Sequence, residues 1–479
     1  LLQHSDPNID DAYRAIAESE SIKISSTPIP MIEALERAQK DIWQYLDSFF
    51  NTKEEPERAI REFLDFVSTK VVCIHHVAQT METALTIYAR LNSGGKTLEN
   101  IEILKGLTFQ QAELLNLWDP LEKEWNDLEA KLATKVKAWT EPEKEPIAAS
   151  SFIRYYLFLE RPEIGKAVSA ESNGWVDKKD LFKVITGENL KTVLEKSPIN
   201  FMQDLKQFTD EIITLRTPAS NTDPIIQNYL YDIAFTAKTQ SQWLLLGIPL
   251  MRYFPSEQDA FRKLRNMVFM FSFALRGSGT SSQIYKQLGS LVRKDAKPDP
   301  AALAAVVTGI DKNLNEYWPA FESEVRRLRY TSGADKIALR RLFEFMEVEI
   351  QRRHAGATTH FDHLYSQYKI AGITLDHLIP QSDTTIDDSI KHQIGNLCLL
   401  TKTDNSGRLK TPYKDPKSAA VFEKARWIVT NALVTAPSTV HGAKKRAIKE
   451  FTQYPDMTKT EVENRTDELI EYLKQRLLT

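Results

Sequence analysis

Cysteine is scarce in this sequence, which contains only Cys73 and Cys398. Neither belongs to a Cys-x-x-Cys pair, which excludes the cysteine-rich zinc modules and argues against the disulfide framework of a secreted protein. Long apolar runs are also missing, since no stretch of about 18 apolar residues occurs that would predict a transmembrane helix. We therefore expect a protein of the reducing cytoplasm with no membrane partner.

Glycine and proline are few, with 17 and 21 among 479 residues, which excludes fibrous and low-complexity chains. The length predicts several hydrophobic cores. No strong excess of one charge exists either, because 62 basic and 65 acidic residues leave a formal charge of -3. Any nucleic-acid surface therefore has to be a local basic patch.

Apolar residues recur at spacings of three and four over most of the chain, which predicts helices. The pattern runs from Asp11 to about Leu107 and again from about 115 to 355, where it ends in an amphipathic helix over 336–353. A short apolar run at 71–74 is compatible with a strand. The predicted fold class is mainly α with a small α+β part.

The small α+β part is predicted near the C-terminus. Ile373–Pro380 is β-prone and ends at a proline, and Ile394–Leu400 is an apolar run that includes Gly395. Asp404–Arg408 then has the composition of a cap for a helix through Ala419 to Val429. The predicted order is strand, strand, helix.

This order resembles the ββα-metal fold of the HNH endonucleases, and more closely a branch with an Asp/Glu-His-Ile-x-Pro opening and a Gly-Asn-Leu-x-Leu-Leu second strand. In the HNH pattern a Leu and a metal ligand follow the Asn at +4 and +9, which here are Leu400 and Asn405. The resemblance implies a general base, a positioning residue and two metal ligands. These are His377, Asn396, and the pair Asp376 and Asn405. The positions that carry Cys for a structural zinc in several HNH proteins are Thr401 and Asp404, so no such zinc is expected.

The chemistry of phosphodiester hydrolysis fits these residue types. An imidazole with a pKa near neutrality can take a proton from water, and two hard oxygen ligands with open positions suit Mg²⁺ or Mn²⁺. Taken singly, Asp376 and His377 fit a structural turn, and Asn405 fits a helix cap. Their joint spacing favours the nuclease interpretation. His392 is a further side chain that could face the same cleft.

Basic residues are concentrated next to this constellation. Residues 402–449 include eleven basic and three acidic residues, a net charge of +8. The pattern predicts a footprint for a DNA backbone, with Tyr413 and Trp427 available for base stacking. The alternative is an ordinary solvated helix face. The candidate DNA-binding residues are Arg408, Lys410, Lys414, Lys417, Lys444, Lys445 and Arg446.

A second motif lies at Tyr88–Leu98, which reads Tyr-Ala-Arg-Leu-Asn-Ser-Gly-Gly-Lys-Thr-Leu. It is similar to a signature of the ParB-like (DUF262) domain that precedes an HNH (DUF1524-like) domain in GmrSD-type, modification-dependent type IV restriction enzymes. A helix that ends in Asn-Ser-Gly-Gly exposes backbone amides to a phosphate, although a plain helix C-cap explains the motif too. The candidate nucleotide-binding residues are Arg90, Asn92, Ser93, Gly94 and Gly95.

The family's upstream Asp-Gly-Gln-Gln-Arg-type motif does not occur in this sequence. Because the chain starts at Leu1 rather than Met, we expect either that the N-terminal part of this domain lies outside the chain or that the protein senses something else. NTP is therefore an expected ligand whose hydrolysis the sequence leaves open.

The predicted organisation has three parts. These are part of a ParB-like sensor over 1–115, a helical connector over 116–335 and an HNH nuclease domain over 336–479. The resemblance implies a metal-dependent endonuclease that cuts modified double-stranded phage DNA. Two alternatives remain, a regulatory DNA-binding or NTP-sensing protein with a vestigial nuclease domain, and an RNA-cleaving toxin. The kind of DNA modification and self-association are not determined by the sequence.

Overall fold

A computed structural model describes residues 30–70, 100–133, 149–168, 173–217, 223–237, 241–275, 279–355, 373–408, 411–425 and 427–479. The chain divides into two compact units, Leu1–Ala78 and Gln79–Thr479. The Tyr88–Leu98 motif, with all five candidate nucleotide-binding residues, lies outside the described residues. So do the strand expected at 71–74 and Lys410.

Two helices are described in the first unit, α1 (Pro30–Asn51) and α2 (Pro56–Lys70). They contact each other, and the rings of Phe50 and Phe63 meet edge to face at 5.7 Å. The helical prediction is confirmed for this stretch.

The second unit begins with a large helical body, as the apolar periodicity predicted. Several of its helices start where the sequence provides a cap followed by proline. Asp299, for example, accepts a hydrogen bond from the Ala302 amide, and Pro300 fills the first helical position. The helices are α3 (Asn100–Leu114), α4 (Trp118–Ala133), α5 (Ala149–Glu160), α6 (Pro162–Val168), α7 (Leu181–Ile185), α8 (Glu188–Lys196), α9 (Pro198–Arg216), α10 (Pro224–Thr236), α11 (Leu244–Tyr253), α12 (Gln258–Ala274), α13 (Thr280–Val292) and α14 (Pro300–Arg327).

The centre of this body is α12, which packs along α14 and against α10. Its residues 267–271 are all buried, which explains why the sequence is apolar on every side there rather than on one stripe. The core that includes these residues continues into the C-terminal part of the chain.

In the described residues, the C-terminal part consists of two long helices and several short ones around one two-stranded sheet. Its elements are α15 (Gly333–Ala355), β1 (Ile373–His377), α16 (Asp388–Lys391), β2 (Leu397–Thr401), α17 (Lys402–Arg408), α18 (Pro416–Lys424), α19 (Ile428–Asn431), α20 (Gly442–Ile448) and α21 (Lys459–Leu477). The strands are antiparallel, with Asp376 opposite Cys398 and His377 opposite Leu397. Both predicted strands and the predicted helix over 336–353 are present.

The hairpin lies between two apolar clusters. Leu397 and Leu399 of β2 face the large core, whereas Cys398 and Leu400 face a smaller cluster that includes Phe422 of α18. A strand covered on both faces has to be apolar throughout. This explains the continuous run Leu-Cys-Leu-Leu in the sequence.

The single helix expected through Ala419 to Val429 is corrected to separate pieces, α18 and α19. Before α18, Pro412 and Pro416 interrupt the chain after α17, since proline cannot continue a helix. Asp415 then caps α18 through the Lys417 amide, with Pro416 at the first helical position. In the described part of the chain, no helix combines the length and apolar character needed to span a bilayer.

Candidate active site

His377 is the last residue of β1 and is only 4% exposed. Both ring nitrogens have partners, because Nδ1 lies 3.1 Å from Nε2 of Gln381 and Nε2 lies 3.1 Å from Nδ1 of His392. The Tyr330 ring contacts His377 edge to face, with the ring centroids 4.9 Å apart. His392, which the sequence offered only as a side chain that could face the cleft, lies beside the candidate base.

The surroundings of His377 keep its imidazole neutral. Burial is the main cause that lowers its pKa, to about 3, and the nearby His392, Arg408, Lys336 and Lys391 act in the same direction. Burial also lowers the pKa of His392. At neutral pH His377 therefore has a nitrogen lone pair, which a general base requires. Its pKa lies well below the near-neutral value expected from the sequence, so it is a weaker base than an ordinary imidazole.

Asp376 points to the opposite face of β1, as neighbouring strand residues do. Its Oδ2 accepts a hydrogen bond of 2.8 Å from Nη1 of Arg408. Burial raises the pKa of Asp376, while the positive charge of Arg408 opposes that change. The carboxylate is thus held by a guanidinium from α17.

Asn405 lies on the Asp376 face of the hairpin. Its Nδ2 donates to Oγ1 of Thr374 at 3.1 Å, and Thr374 is two residues before Asp376 on the same strand. The side-chain oxygen of Asn405 has no hydrogen bond to any residue that the structure describes. The structure thus brings Asp376 and Asn405 to one face, with His377 on the other.

Asn396 is fully buried just before β2 and connects two segments of the site. Its side-chain oxygen accepts from the Ile379 amide at 2.8 Å, and its Nδ2 donates to the Lys391 carbonyl at 2.8 Å. Ile379 follows β1 and Lys391 precedes His392, so one amide group fixes the backbone beside both histidines. This is the geometry that a positioning residue requires.

The donor chemistry of the Asp376 face fits a hard divalent cation. A carboxylate and an unshared amide oxygen on one face are ligands that Mg²⁺ and Mn²⁺ accept. The Arg408 guanidinium occupies one carboxylate oxygen, so an ion has to share Asp376 with it. Among the described residues, no group of three His, Cys, Asp or Glu side chains is arranged to hold a metal ion.

The exposed candidate DNA-binding residues lie at two places, around the start of α18 and on α20. Lys414 and Lys417 are exposed at and before the start of α18, and Lys414 pairs with Asp456 at 2.5 Å. Lys444 and Arg446 are exposed on α20 and Lys445 is half-buried there. That helix packs against α15 and α19, and Arg446 donates to the His354 carbonyl.

Three residues expected at the DNA surface lie in the interior instead. Arg408 is 1% exposed, and its donors go to Asp376, to Ser418 Oγ and to main-chain carbonyls that include those of His377 and Leu378. Tyr413 and Trp427 are buried, and the Tyr413 hydroxyl donates to the Tyr454 carbonyl. Base stacking on these two rings is excluded because apolar neighbours cover them.

Several residues around His377 could not be identified from any sequence motif. Tyr330 lies in the connection between α14 and α15, and its amide donates to the His392 carbonyl at 3.0 Å. Lys336 lies in the first turn of α15. Gln381 follows Pro380 in the loop after β1. These residues belong to no motif, so only the packing of α14 and α15 against the hairpin segment identifies them.

Residues 319–472 match the family model described as the C-terminal domain of GmrSD restriction endonucleases. The match begins inside α14, ahead of the expected boundary at 336, and includes the hairpin, α17 and both histidines. No curated protein matches the chain. This part of the chain is therefore similar to a domain of a restriction endonuclease family.

Proposed function

We propose that the protein is a metal-dependent DNA endonuclease that restricts modified foreign DNA. The observation that carries the proposal is the match of residues 319–472 to the GmrSD C-terminal domain. In that segment a two-stranded sheet is followed by a short helix. The proposal assigns the HNH roles there to His377, Asp376, Asn396 and Asn405. Double-stranded DNA is the substrate, and its modification is the feature that distinguishes it from host DNA.

His377 is the general base in this proposal. Its ring is neutral, so it can take a proton from an attacking water. Because both ring nitrogens are hydrogen-bonded, the water has to replace Gln381 or His392 as a partner. Asn396 holds the backbone on both sides of the pair, so the imidazole keeps its position while partners exchange.

Asp376 and Asn405 would hold Mg²⁺ or Mn²⁺. When bound, such an ion neutralises charge that develops on the phosphate and the leaving oxygen. Arg408 fixes the Asp376 carboxylate and also donates to the His377 and Leu378 carbonyls, so the carboxylate and the backbone of the base are held by one side chain. An NTP bound near Arg90, Asn92, Ser93, Gly94 and Gly95 remains part of the proposal.

The first prediction concerns the general base. His377→Ala should lower nicking of supercoiled DNA by about two to four orders of magnitude in Mg²⁺ or Mn²⁺, because no other group takes the proton. DNA binding should change little. Nicking is followed on gels with modified phage DNA and with plain DNA, and added EDTA should abolish it.

His441→Ala is the matched control, since His441 is an exposed histidine in the same part of the chain. It should cleave like the unmodified protein. Undiminished nicking by His377→Ala would contradict the assignment. Cleavage of RNA in preference to duplex DNA would contradict the substrate class.

The alternative is a regulatory DNA-binding protein with a vestigial nuclease domain. The ion pair between Asp376 and Arg408 favours it, because a carboxylate that already faces a cation binds a second cation less readily. This alternative predicts DNA binding without nicking in either metal. The same cleavage assay decides between the two functions.

A further inference from the structure

Four basic side chains surround the His377 and His392 pair, and three of them are committed to internal contacts. Arg408 is buried against Asp376 and main-chain carbonyls. Lys391 is buried, donates to the Gln381 and Asp383 carbonyls and pairs with Asp388 at 2.7 Å. Arg329 donates to the carbonyls of Arg326 and Leu328. These cations fix the fold around the site.

Lys336 differs from the other three. Its side chain is exposed in the first turn of α15, and it makes no hydrogen bond or ion pair with any residue that the structure describes. Its Nζ lies over the Tyr330 ring, 4.7 Å from the ring centroid. A cation at this distance is attracted to the ring face and still keeps its N–H donors for a ligand.

The Tyr330 ring links this cation to the candidate base. Nζ of Lys336 lies 4.7 Å from the centroid of the Tyr330 ring, and the centroid of the His377 ring lies 4.9 Å from the same point. The Lys336 ammonium group is therefore within about 10 Å of the imidazole. Because the Tyr330 ring fills the direct line between the two groups, a phosphate that reaches both has to lie beside the ring.

The electrostatic effects agree with this distance. Lys336 contributes to the lowered pKa of His392, so its charge acts on the site. The neighbouring carboxylate of Asp335 is directed elsewhere, since its Oδ2 accepts from the Arg329 amide. No competing acid of the described chain neutralises Lys336.

We propose that Lys336, held on the ring of Tyr330, binds the scissile phosphate of the DNA strand next to His377. This inference rests on the proposed function and adds a catalytic residue to it. The α14–α15 connection then supplies one wall of the active site. Hydrolysis builds negative charge on the phosphate oxygens, and a fixed cation stabilises that charge more in the transition state than in the ground state.

The test compares Lys336→Gln and Lys336→Arg in the full chain with Mg²⁺. The Gln variant should lower the cleavage rate at saturating DNA by about 10- to 100-fold, and the Arg variant should recover most of the rate because it keeps the charge. Lys312→Gln is the control. Lys312 is exposed in α14, about 22 Å along the helix from Arg327, and its substitution should leave the rate unchanged.

A binding measurement without metal provides a second readout. Fluorescence anisotropy with a short duplex in EDTA should show that Lys336→Gln reduces the steepness of the log–log dependence of affinity on salt by about one unit, as expected for one lost phosphate contact. Lys312→Gln should leave the slope unchanged.

The role of the ring is tested by Tyr330→Phe and Tyr330→Leu. Phe keeps the ring and should retain activity, whereas Leu should lower the rate. In the Leu background, Lys336→Gln should have a smaller effect than in the unmodified protein, because the two residues act as a unit.

The outcomes separate this inference from the proposed function. If the unmodified protein cleaves DNA and His377→Ala does not, but Lys336→Gln cleaves normally, the inference fails and the proposed function stands. A change in KM without a change in kcat also overturns it, since that result describes a DNA contact away from the reacting phosphate. If the unmodified protein does not cleave DNA, both fail.

Discussion

Arg408 shows how one residue can serve the site without touching the substrate. The guanidinium donates to Asp376 on one strand face and to the carbonyls that follow it, and its Nε donates to Ser418 Oγ at 3.1 Å. The sequence placed Arg408 in a basic run, which suggested a DNA contact. Burial changes that role, because a side chain with its donors used internally cannot also bind phosphate.

We predict that Arg408→Ala destabilises the C-terminal part by about 3–5 kcal/mol, since it leaves the Asp376 charge buried without its partner. Arg408→Lys should cost less, because it keeps the charge but loses the planar fork of donors. The denaturation midpoint measures the loss of stability. Hydrogen exchange in β1 and β2, followed by mass spectrometry, localises it.

Arg327→Ala is the control for this prediction. The Arg327 side chain is 62% exposed and pairs with Glu324, so its loss should cost less than about 1 kcal/mol. If both variants lowered the free energy of unfolding equally, the buried hydrogen bonds of Arg408 would contribute no more to stability than an exposed ion pair does.

At the scale of elements, the structure connects α15 to α19 through one buried carboxylate. Helix α19 has no cap from its own sequence, because its preceding residue Trp427 makes no side-chain cap hydrogen bond. Glu347 of α15 accepts from the Ile428 amide at 2.7 Å and from the Val429 amide at 3.2 Å. Burial raises the pKa of Glu347, whereas these hydrogen bonds act in the opposite direction. A tertiary contact thus caps the N-terminus of α19, a role that a local Ser or Asp at the N-cap position usually has.

Glu347→Ala should therefore unfold α19 locally and lower stability by about 2–4 kcal/mol, since two backbone amides lose their acceptor in the interior. Glu347→Gln keeps one acceptor oxygen and should cost about half as much. Hydrogen exchange of the α19 amides is the measurement. Unchanged protection of these amides in Glu347→Ala would contradict the capping role.

At the scale of the whole molecule, charge is distributed unevenly. The chain carries a formal charge of -3, while residues 402–449 carry +8. Among the residues that the structure describes, the basic residues of this segment lie in α17, α18 and α20 or directly beside them. We therefore expect a DNA backbone to be attracted to this segment rather than to the protein as a whole.

DNA binding should therefore weaken steeply as salt rises. A footprint of about four to six phosphates gives a log–log slope of about -4 to -5 between roughly 50 and 200 mM salt. The triple variant Lys444→Gln, Lys445→Gln and Arg446→Gln should reduce the steepness by about two to three units. Lys178→Gln, Lys312→Gln and Lys474→Gln together form a matched control, since all three lysines are exposed in other parts of the chain. A slope near zero in the unmodified protein would argue against the basic surface as a phosphate footprint.

Much of the secondary structure was predictable from local patterns. The strands at Ile373–His377 and Leu397–Thr401 and the helix over 336–353 follow from apolar periodicity and from the Gly and Pro residues beside them. The prediction of one helix after Arg408 was wrong, because Pro412 and Pro416 cannot continue a helix and the prediction did not take them into account. The placement of Arg408, Tyr413 and Trp427 was also wrong, since composition cannot tell a basic or aromatic surface residue from a buried one.

Local sequence patterns predicted a mainly helical chain with two strands before a helix, and their spacing identified four candidate site residues in that segment. These features depend on spacings of a few residues, which the backbone geometry of strands and helices converts directly into position. The neighbours of those side chains, in contrast, depend on the tertiary structure. Tyr330, Lys336 and Arg408 reach the site because separate helices pack against one hairpin, and contacts between distant segments depend on the shape and burial of the whole core rather than on any local pattern.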